Sequence, residues 1–189
     1  MRKIHGADAG ETEESLRTWL SGAKKVAIAG VGSSLRRDDF VGVQIVKNLQ
    51  NKVSGNVSLL ECETVPESFL EPISDFKPTH VLIIDAAILN LRPGASRLVK
   101  PEKIAEVPVS THILPLSLFS EYLTEMMGAK VALLAIQPKE TSFGEGLTEE
   151  LKKTARDLTD LLIKILPKQK PYSSREPNGC KDGNNPDNL

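Results

Sequence analysis

One stretch of the chain, residues 26–46, constrains the fold more than any other. It reads VAIAGVGSSLRRDDFVGVQIV. The opening run of small and β-branched apolar residues ends in glycine, which is typical of a short buried strand. Gly30 and Gly32 permit a tight turn. After a polar loop and two adjacent carboxylates, Asp38 and Asp39, apolar residues recur at helical spacing. The stretch therefore predicts strand, turn, loop and helix, with both carboxylates at or beside the start of the helix.

Two simpler interpretations compete with a functional one. A glycine turn after a strand is typical of dinucleotide sites, but such a site needs a third glycine where this chain has Leu35. Two carboxylates would also repel a phosphate. Asp38 is suited to cap the helix, because aspartate is favoured there and contributes about 1 kcal/mol. Adjacent side chains point in different directions, so a cap formed by Asp38 does not account for Asp39.

Composition excludes several classes of protein. The 189 residues predict one domain, and a net charge of −1 argues against a general binder of nucleic acid or anionic membranes. No apolar run reaches the roughly 20 residues of a membrane-spanning helix, and the first residues lack the apolar core of a secretory signal, so we expect no membrane insertion. Cys62 and Cys180 do not form a disulfide framework, which favours a cytoplasmic location.

Strand-like and helix-like patterns alternate from residue 26 to residue 166. This alternation predicts a single α/β domain with a mostly parallel twisted sheet and helices on both faces. The predicted strands are 26–30, 57–62, 81–85 and 131–136, with a short edge strand at 95–99. Helices are predicted over 11–23, after Asp39 and from Thr148 to Ile165. A short helix is predicted after Pro66, with its end marked by Pro72 and Pro78. Another is predicted after Pro115, with inward side chains at Leu116, Phe119, Leu123 and Met126.

The ends of the chain differ from its middle. Residues 1–23 are predicted to be an N-terminal extension with a short helix, and 24–166 the main domain. Residues 167–189 are rich in Lys, Asn, Pro and Gly. Because such a composition buries little apolar surface, we predict a flexible polar tail there.

Three side chains able to do chemistry lie just after predicted strands or before a helix: Asp39, Asp85 and His112. Ligands of open α/β sheets bind outside the carboxyl ends of the strands, where neighbouring strand ends are about 5–10 Å apart. Two carboxylates and one imidazole suit a first-row divalent metal. Alternatively, Asp85 closes a turn or caps a helix, and His112 is a loop histidine with no ligand. In a further alternative, Asp39 or Asp85 is a general base that acts on water.

Four motifs, in this order, resemble the nickel–iron hydrogenase maturation endopeptidases. They are the glycine turn with Arg37-Asp38-Asp39-x-x-Gly42, the strand Leu82–Ala86, the segment Ser110–His112 leading to Leu116, and Ala135–Pro138. Each motif is weak alone, but four in order and at the right spacing are specific. The resemblance runs from about residue 24 to 166 and omits both ends of the chain.

This resemblance implies a protease domain over 24–166, with a fold similar to that of a spore germination protease. Members of the family remove a C-terminal extension from the hydrogenase large-subunit precursor after nickel insertion. Carried over by position, the nickel-recognition ligands are Asp39, Asp85 and His112, and the same residues are the candidates for catalysis. The implied cofactor is nickel, supplied by the substrate rather than held by the free enzyme.

Two other functions stay open on the sequence. One is a nickel-binding chaperone of the same maturation pathway that does not hydrolyse peptides. The other is a nucleoside-type hydrolase of similar fold, which would need phosphate ligands beside the glycine loop. Ser33, Ser34, Arg36 and Arg37 are available there.

Overall fold

A central five-stranded sheet organises the computed structural model, which describes residues 9–108 and 116–168. The strands occur in the order β2-β1-β3-β5-β4. All neighbours are parallel except β4, which pairs antiparallel with β5 at the edge of the sheet. This arrangement confirms the predicted α/β class and the short edge strand. The strands are β1 Val26–Val31, β2 Val57–Glu63, β3 His80–Ala86, β4 Ser96–Val99 and β5 Lys130–Ile136.

The strand order creates a switch point between β1 and β3. The chain leaves β1 for β2 on one side and then crosses to β3 on the other. The parallel register of β1 with β3 ends at the pair Gly30 and Ile84. In open α/β sheets, a crevice at such a switch point, outside the carboxyl ends of the strands, is the usual place for a ligand. Topology therefore selects the ends of β1 and β3 as the place to look for a site.

Helices cover both faces of the sheet. Buried side chains of α1, α2 and α5 form one apolar cluster with one set of alternating strand residues, and those of α3 and α4 form the second cluster with the other set. The helices are α1 Ala9–Trp19, α2 Val41–Leu49, α3 Leu70–Phe76, α4 Leu116–Met127 and α5 Glu149–Ile165. Short 3₁₀ helices occur at Arg37–Phe40, Pro66–Phe69 and Pro101–Glu106.

Several local predictions are corrected by the structure. Pro72 does not end a helix, because it lies in the first turn of α3, where a proline is tolerated, and the helix runs on to Phe76. Met126 is 69% exposed although its spacing predicts an inward side chain. It lies in the last turn of α4, so the stripe that Leu116 begins is buried only as far as Leu123. The first helix ends at Trp19 rather than Ala23.

Helix α1 packs on the sheet. The Thr12 hydroxyl donates a 2.7 Å hydrogen bond to the carbonyl of Ser96 at the start of β4. Leu16 is fully buried in the α2 and α5 cluster. The side chain of Trp19 meets the ring of His80 edge to face, with 5.1 Å between the ring centroids. The described part of the N-terminal region therefore contributes to the core.

No helix in the described ranges is both long enough and apolar enough to cross a membrane.

Candidate active site

The loop after β1 places Asp39 beside the end of that strand. Gly32 has φ +129°, and a Cβ there would lie 1.7 Å from the carbonyl oxygen of Asp39, so the turn requires glycine. Asp39 lies in the 3₁₀ helix Arg37–Phe40 and is 0% exposed. Its Oδ2 accepts a 2.7 Å hydrogen bond from the backbone N–H of Ser33. The carboxylate is therefore held inside its own loop, just beyond the switch point.

Gly42 brings the start of α2 against both central strands. A Cβ at this position would lie 2.0 Å from the carbonyl oxygen of Ile84 in β3 and 2.6 Å from that of Val31 in β1. Backbone contact as close as this is available only to glycine. The glycine of the DD-x-x-G pattern thus serves packing, since it fixes the position of α2, and of Asp39 before it, relative to the two strand ends.

Asp85 lies in β3, just past the last β1–β3 pair. It is 0% exposed, and it continues the alternation of Val81 and Ile83, whose side chains face α3 and α4. The N–H of Ala86 donates a 2.8 Å hydrogen bond to its Oδ1. Asp39, in the loop after β1, and Asp85, near the end of β3, therefore lie at the carboxyl edge of two adjacent strands. Neighbouring strands are about 4.8 Å apart. Two buried carboxylates at a switch point are costly to desolvate, which favours a functional origin for them.

His112 lies outside the described residues. The described residues on either side of its segment are anchored near Asp85. The N–H of Ile88, three positions after Asp85, donates a 3.1 Å hydrogen bond to the carbonyl of Pro108. Leu116, where the chain resumes, is 1% exposed in the cluster on the Asp85 side of the sheet. Within residues 9–108 and 116–168, no group of three or more His, Cys, Asp or Glu side chains could hold a metal ion.

Asp38 is structural, but it does not cap the helix after it. The N-cap position of α2 is Phe40, and no side chain caps it. Instead, Asp38 Oδ2 accepts hydrogen bonds from the backbone N–H groups of Lys139 at 2.9 Å and Glu140 at 3.0 Å. Thr148, just before α5, donates its N–H to Oδ1 at 2.7 Å and its hydroxyl to Oδ2 at 3.0 Å. The buried carboxylate therefore joins the loop after β1 to the loop after β5.

Gln137 is a structural residue of the site region that the sequence did not reveal. Its side-chain Oε1 accepts hydrogen bonds from the backbone N–H groups of Leu89 at 2.8 Å and Leu91 at 3.3 Å. The backbone carbonyl of Gln137 accepts a 2.8 Å hydrogen bond from the N–H of Gly94. The glutamine of the Ala135–Pro138 motif thus holds the loop after Asp85. Its place in a family motif was the only signal, because the contacts are remote in sequence.

Other reactive side chains of this edge are poor catalysts. Burial raises the pKa of the Cys62 thiol to about 12, with a smaller contribution from the negative charge of Glu67. A cysteine in that state is not a nucleophile near neutral pH. Arg37, a phosphate ligand in the nucleoside hydrolase alternative, has its Nε 3.3 Å from Glu140 and its guanidinium against Gly144. It therefore supports the contact between the two loops.

Comparisons with known proteins agree with this fold. The family model of HycI, hydrogenase maturation protease, matches residues 43–165, a range that includes Asp85 and His112 and begins just after Asp39. A Methanocaldococcus jannaschii protein, provisionally named a hydrogenase maturation protease, is 35% identical over 162 residues, 82% of this chain and 95% of that protein. The hydrogenase 3 maturation protease of Escherichia coli K12 is 32% identical over 123 residues, 65% of this chain and 78% of that protein.

A solved structure extends the likeness to three dimensions. The crystal structure of HycI, a nickel–iron hydrogenase maturation protease from Thermococcus kodakarensis, matches with a TM-score of 0.75 at 33% identity. The match covers 80% of this chain and 98% of the other. These relatives are named as proteases, which supports a peptidase rather than a non-hydrolytic chaperone. From the match over residues 43–165 and these three relatives, the chain belongs to the hydrogenase maturation protease family.

Proposed function

We propose that this protein is the endopeptidase that removes the C-terminal extension of a nickel-loaded nickel–iron hydrogenase large-subunit precursor. The observation that carries the proposal is the pair of buried carboxylates, Asp39 and Asp85, at the switch point of a hydrogenase maturation protease fold. Their adjacent strands, β1 and β3, form the rigid centre of the sheet, so the two groups are preorganised before a substrate arrives.

Asp39, Asp85 and His112 are proposed to recognise nickel that is already bound in the precursor. Two carboxylates and an imidazole are suitable ligands for a first-row divalent metal, but three ligands leave coordination positions for groups of the precursor. His112 is included in this set from the sequence resemblance, and the described residues that flank its segment are compatible with that choice. Its segment begins after Pro108, which is bonded to Ile88, and ends before buried Leu116 on the Asp85 side of the sheet.

The chemistry of peptide hydrolysis then needs an activated water. The water oxygen attacks the carbonyl carbon of the scissile bond and gives its proton to a carboxylate. That proton passes to the departing amine as the carbon–nitrogen bond breaks. Asp39 and Asp85 are the proposed proton acceptors in the described part of the chain, since Cys62 is held as a thiol. This role accounts for carboxylates at both strand ends.

The test is cleavage of purified large-subunit precursor, prepared with and without nickel, followed by mass measurement of the product. We expect a loss of mass equal to the C-terminal extension only for the nickel-loaded precursor. Asp39→Asn, Asp85→Asn and His112→Ala should each abolish this loss. Asp75→Asn is the matched control, because Asp75 is an exposed carboxylate on α3. Its cleavage should equal that of the unmodified chain.

The origin of the metal is tested separately by measuring the nickel content of the purified protease. Three side-chain ligands without a thiolate bind nickel only modestly, so the free protein should be largely metal-free. Stoichiometric nickel in the free protein, or equal cleavage of the nickel-free precursor, would contradict the proposed recognition of substrate nickel. Nickel binding with no change in precursor mass would instead indicate a chaperone.

A cytoplasmic location is proposed for this activity, where the large subunit would be processed. Cys62 is a free buried thiol, which is compatible with a reducing compartment. Cell fractionation with an antibody against the chain tests the location, and recovery in a membrane or secreted fraction would contradict it.

A further inference from the structure

Two large apolar side chains are exposed on the loops that Asp38 joins. Phe143, in the loop after β5, is 82% exposed, and Leu35, in the loop after β1, is 51% exposed. Backbone bonding joins the two loops at these positions, because the N–H of Gly144, the residue after Phe143, donates a 2.9 Å hydrogen bond to the carbonyl of Leu35. We call these two side chains the Leu35–Phe143 patch. Neither belongs to the buried core, and both lie on loops at the carboxyl edge of the sheet.

Hydrogen bonds between the two loops hold the backbone beneath the patch. The N–H of Arg37 donates a 2.9 Å hydrogen bond to the carbonyl of Gly144, and Arg36 pairs with Gly144 as an isolated parallel bridge. The N–H of Asp38 adds a 3.1 Å bond to the carbonyl of Glu140. The two side chains are thus presented on a fixed frame. Binding through them needs little ordering of the loops, which favours affinity.

The charges around the patch are balanced. Arg37 and Glu140 form an ion pair, with 3.3 Å between Nε and Oε1. Arg36 and Glu145, which are both exposed, have opposite signs. An apolar centre with a polar rim of small net charge is the usual pattern of a protein–protein contact. The patch is therefore suited to apolar side chains of a partner rather than to a highly charged ligand.

The patch also shares a loop with the candidate active site. Leu35 belongs to the same short loop as Asp39, and the Asp39 carboxylate is bonded to the N–H of Ser33 in that loop. A peptidase binds its protein substrate on both sides of the scissile bond, so a loop that carries a candidate catalytic residue is also well placed to contact the substrate. We propose that the Leu35–Phe143 patch docks apolar side chains of the large-subunit precursor. This inference rests on the proposed function and assigns it a specificity-determining surface.

The experiment compares Phe143→Ala and Leu35→Ala with the unmodified chain. Steady-state cleavage of nickel-loaded precursor gives KM and kcat, and a binding titration with the same precursor gives Kd. Removing an anchor that contributes equally to ground and transition states raises KM and leaves kcat unchanged. We expect KM and Kd to rise about tenfold for Phe143→Ala, with a smaller rise for Leu35→Ala. The ratio of the variant's Kd to that of the unmodified chain should change little with salt concentration, because the contact is apolar.

Met126→Ala is the matched control. Met126 is also a large exposed apolar residue, but it lies in the last turn of α4, which leads into the amino end of β5. Its KM and Kd should stay unchanged, and all three variants should keep their melting temperature because the residues are exposed. Values of KM and Kd for Phe143→Ala within twofold of the unmodified chain would overturn the proposal.

The same proteins also distinguish failure of the proposed function from self-association of the protease. If the unmodified chain binds the precursor but does not cleave it, the proposed function fails, and Kd alone decides whether the patch is the docking site. Sedimentation of the protease by itself detects a second copy as occupant. A dimer of the unmodified chain that Phe143→Ala converts to a monomer would overturn docking of the precursor.

Discussion

Asp38 and Thr148 are 110 positions apart in the chain and are joined by two hydrogen bonds. Thr148 donates its N–H to Oδ1 at 2.7 Å and its hydroxyl to Oδ2 at 3.0 Å. Asp38 is fully buried, and its neighbour in sequence is the proposed nickel ligand Asp39. One carboxylate therefore connects the loop before α2 to the start of α5, while the next accepts a hydrogen bond from the N–H of Ser33 within the loop after β1.

Asp38→Asn should lower stability more than it lowers cleavage. An asparagine side chain has one oxygen in place of two. Its NH₂ group would therefore face backbone N–H groups that now donate to the Asp38 carboxylate, so that donor meets donor. We expect a loss on the order of 2–4 kcal/mol, or about 5–10 °C in melting temperature. Thr148→Val, which keeps the backbone bond, should cost less. Calorimetry and cleavage at a temperature below both transitions provide the comparison. A larger loss of cleavage than of stability would reverse the roles given to Asp38 and Asp39.

Gly42→Ala should destabilise the fold and disturb the site together. The new methyl group would lie 2.0 Å from the carbonyl oxygen of Ile84, so α2 must move away from the central strands. We expect a cost of about 3 kcal/mol or more, measured by urea denaturation. Gly10→Ala is the control, because nothing lies within 4 Å of its added Cβ in α1. Its effect should be neutral or stabilising by at most about 1 kcal/mol. Equal stability of the two variants would show that the close approach at Gly42 is not required.

Asp85→Asn should remove cleavage without unfolding the protein. Asparagine has nearly the same shape, and its side-chain oxygen can still accept from the N–H of Ala86. It cannot accept the proton of the attacking water, so we expect kcat to fall by about a hundredfold or more. Melting temperature measured beside single-turnover cleavage separates the two effects. Retained cleavage would remove Asp85 from the catalytic group.

Stability should fall in mild acid through His80. This side chain is 3% exposed, and burial, followed by the positive charge of Lys130, lowers its pKa below the ordinary value. The unfolded chain therefore binds a proton at about pH 6.5 that the folded chain still excludes, so stability is full above that pH and declines as pH falls below it. His80→Phe keeps an aromatic ring beside Trp19 and should flatten the decline. Melting curves of both proteins across this pH range provide the test. The same acid dependence in both would assign the effect to other groups.

Truncation after Pro167 should leave melting temperature and cleavage nearly unchanged. The removed residues have no apolar face in their sequence. Pro167 itself is kept because its carbonyl accepts a 2.8 Å hydrogen bond from Ser54. Calorimetry and the precursor assay compare the truncated and full chains. Loss of either property would mean that the tail docks on the domain.

The order of elements could be predicted from the sequence because it depends on local patterns. Apolar runs such as 81–85 and 131–136 are buried strands, and the spacing of Leu151, Ala155, Leu158 and Leu162 produces a helix with a buried face. Alternation of the two then implies a parallel sheet. The errors lie where the environment overrides the pattern. Met126 has the right spacing but lies at the end of its helix, and Pro72 falls in a first turn.

The candidate site was partly predictable for a similar reason. Asp85 is near the end of β3 and Asp39 lies in the loop after β1, so a parallel sheet brings them to the same edge. Their full burial, and the separation of roles between Asp38 and Asp39, could not be read from adjacent letters. The same holds for Gln137, whose side chain binds the backbone of Leu89 and Leu91. The contacts of Asp38 and Gln137 join residues more than 40 positions apart in the sequence.

By itself, then, the sequence determined which segments form strands and helices, and which carboxylates come after or at the ends of strands, because hydrophobic periodicity is a property of short segments. Only the tertiary structure decided that Asp38 bonds to Thr148, that Gly42 touches both central strands, and that Gly144 bonds to Leu35. Each of those contacts joins segments that become neighbours only when the sheet is complete, since a hydrogen bond or a close packing contact requires its two atoms to be within a few ångströms.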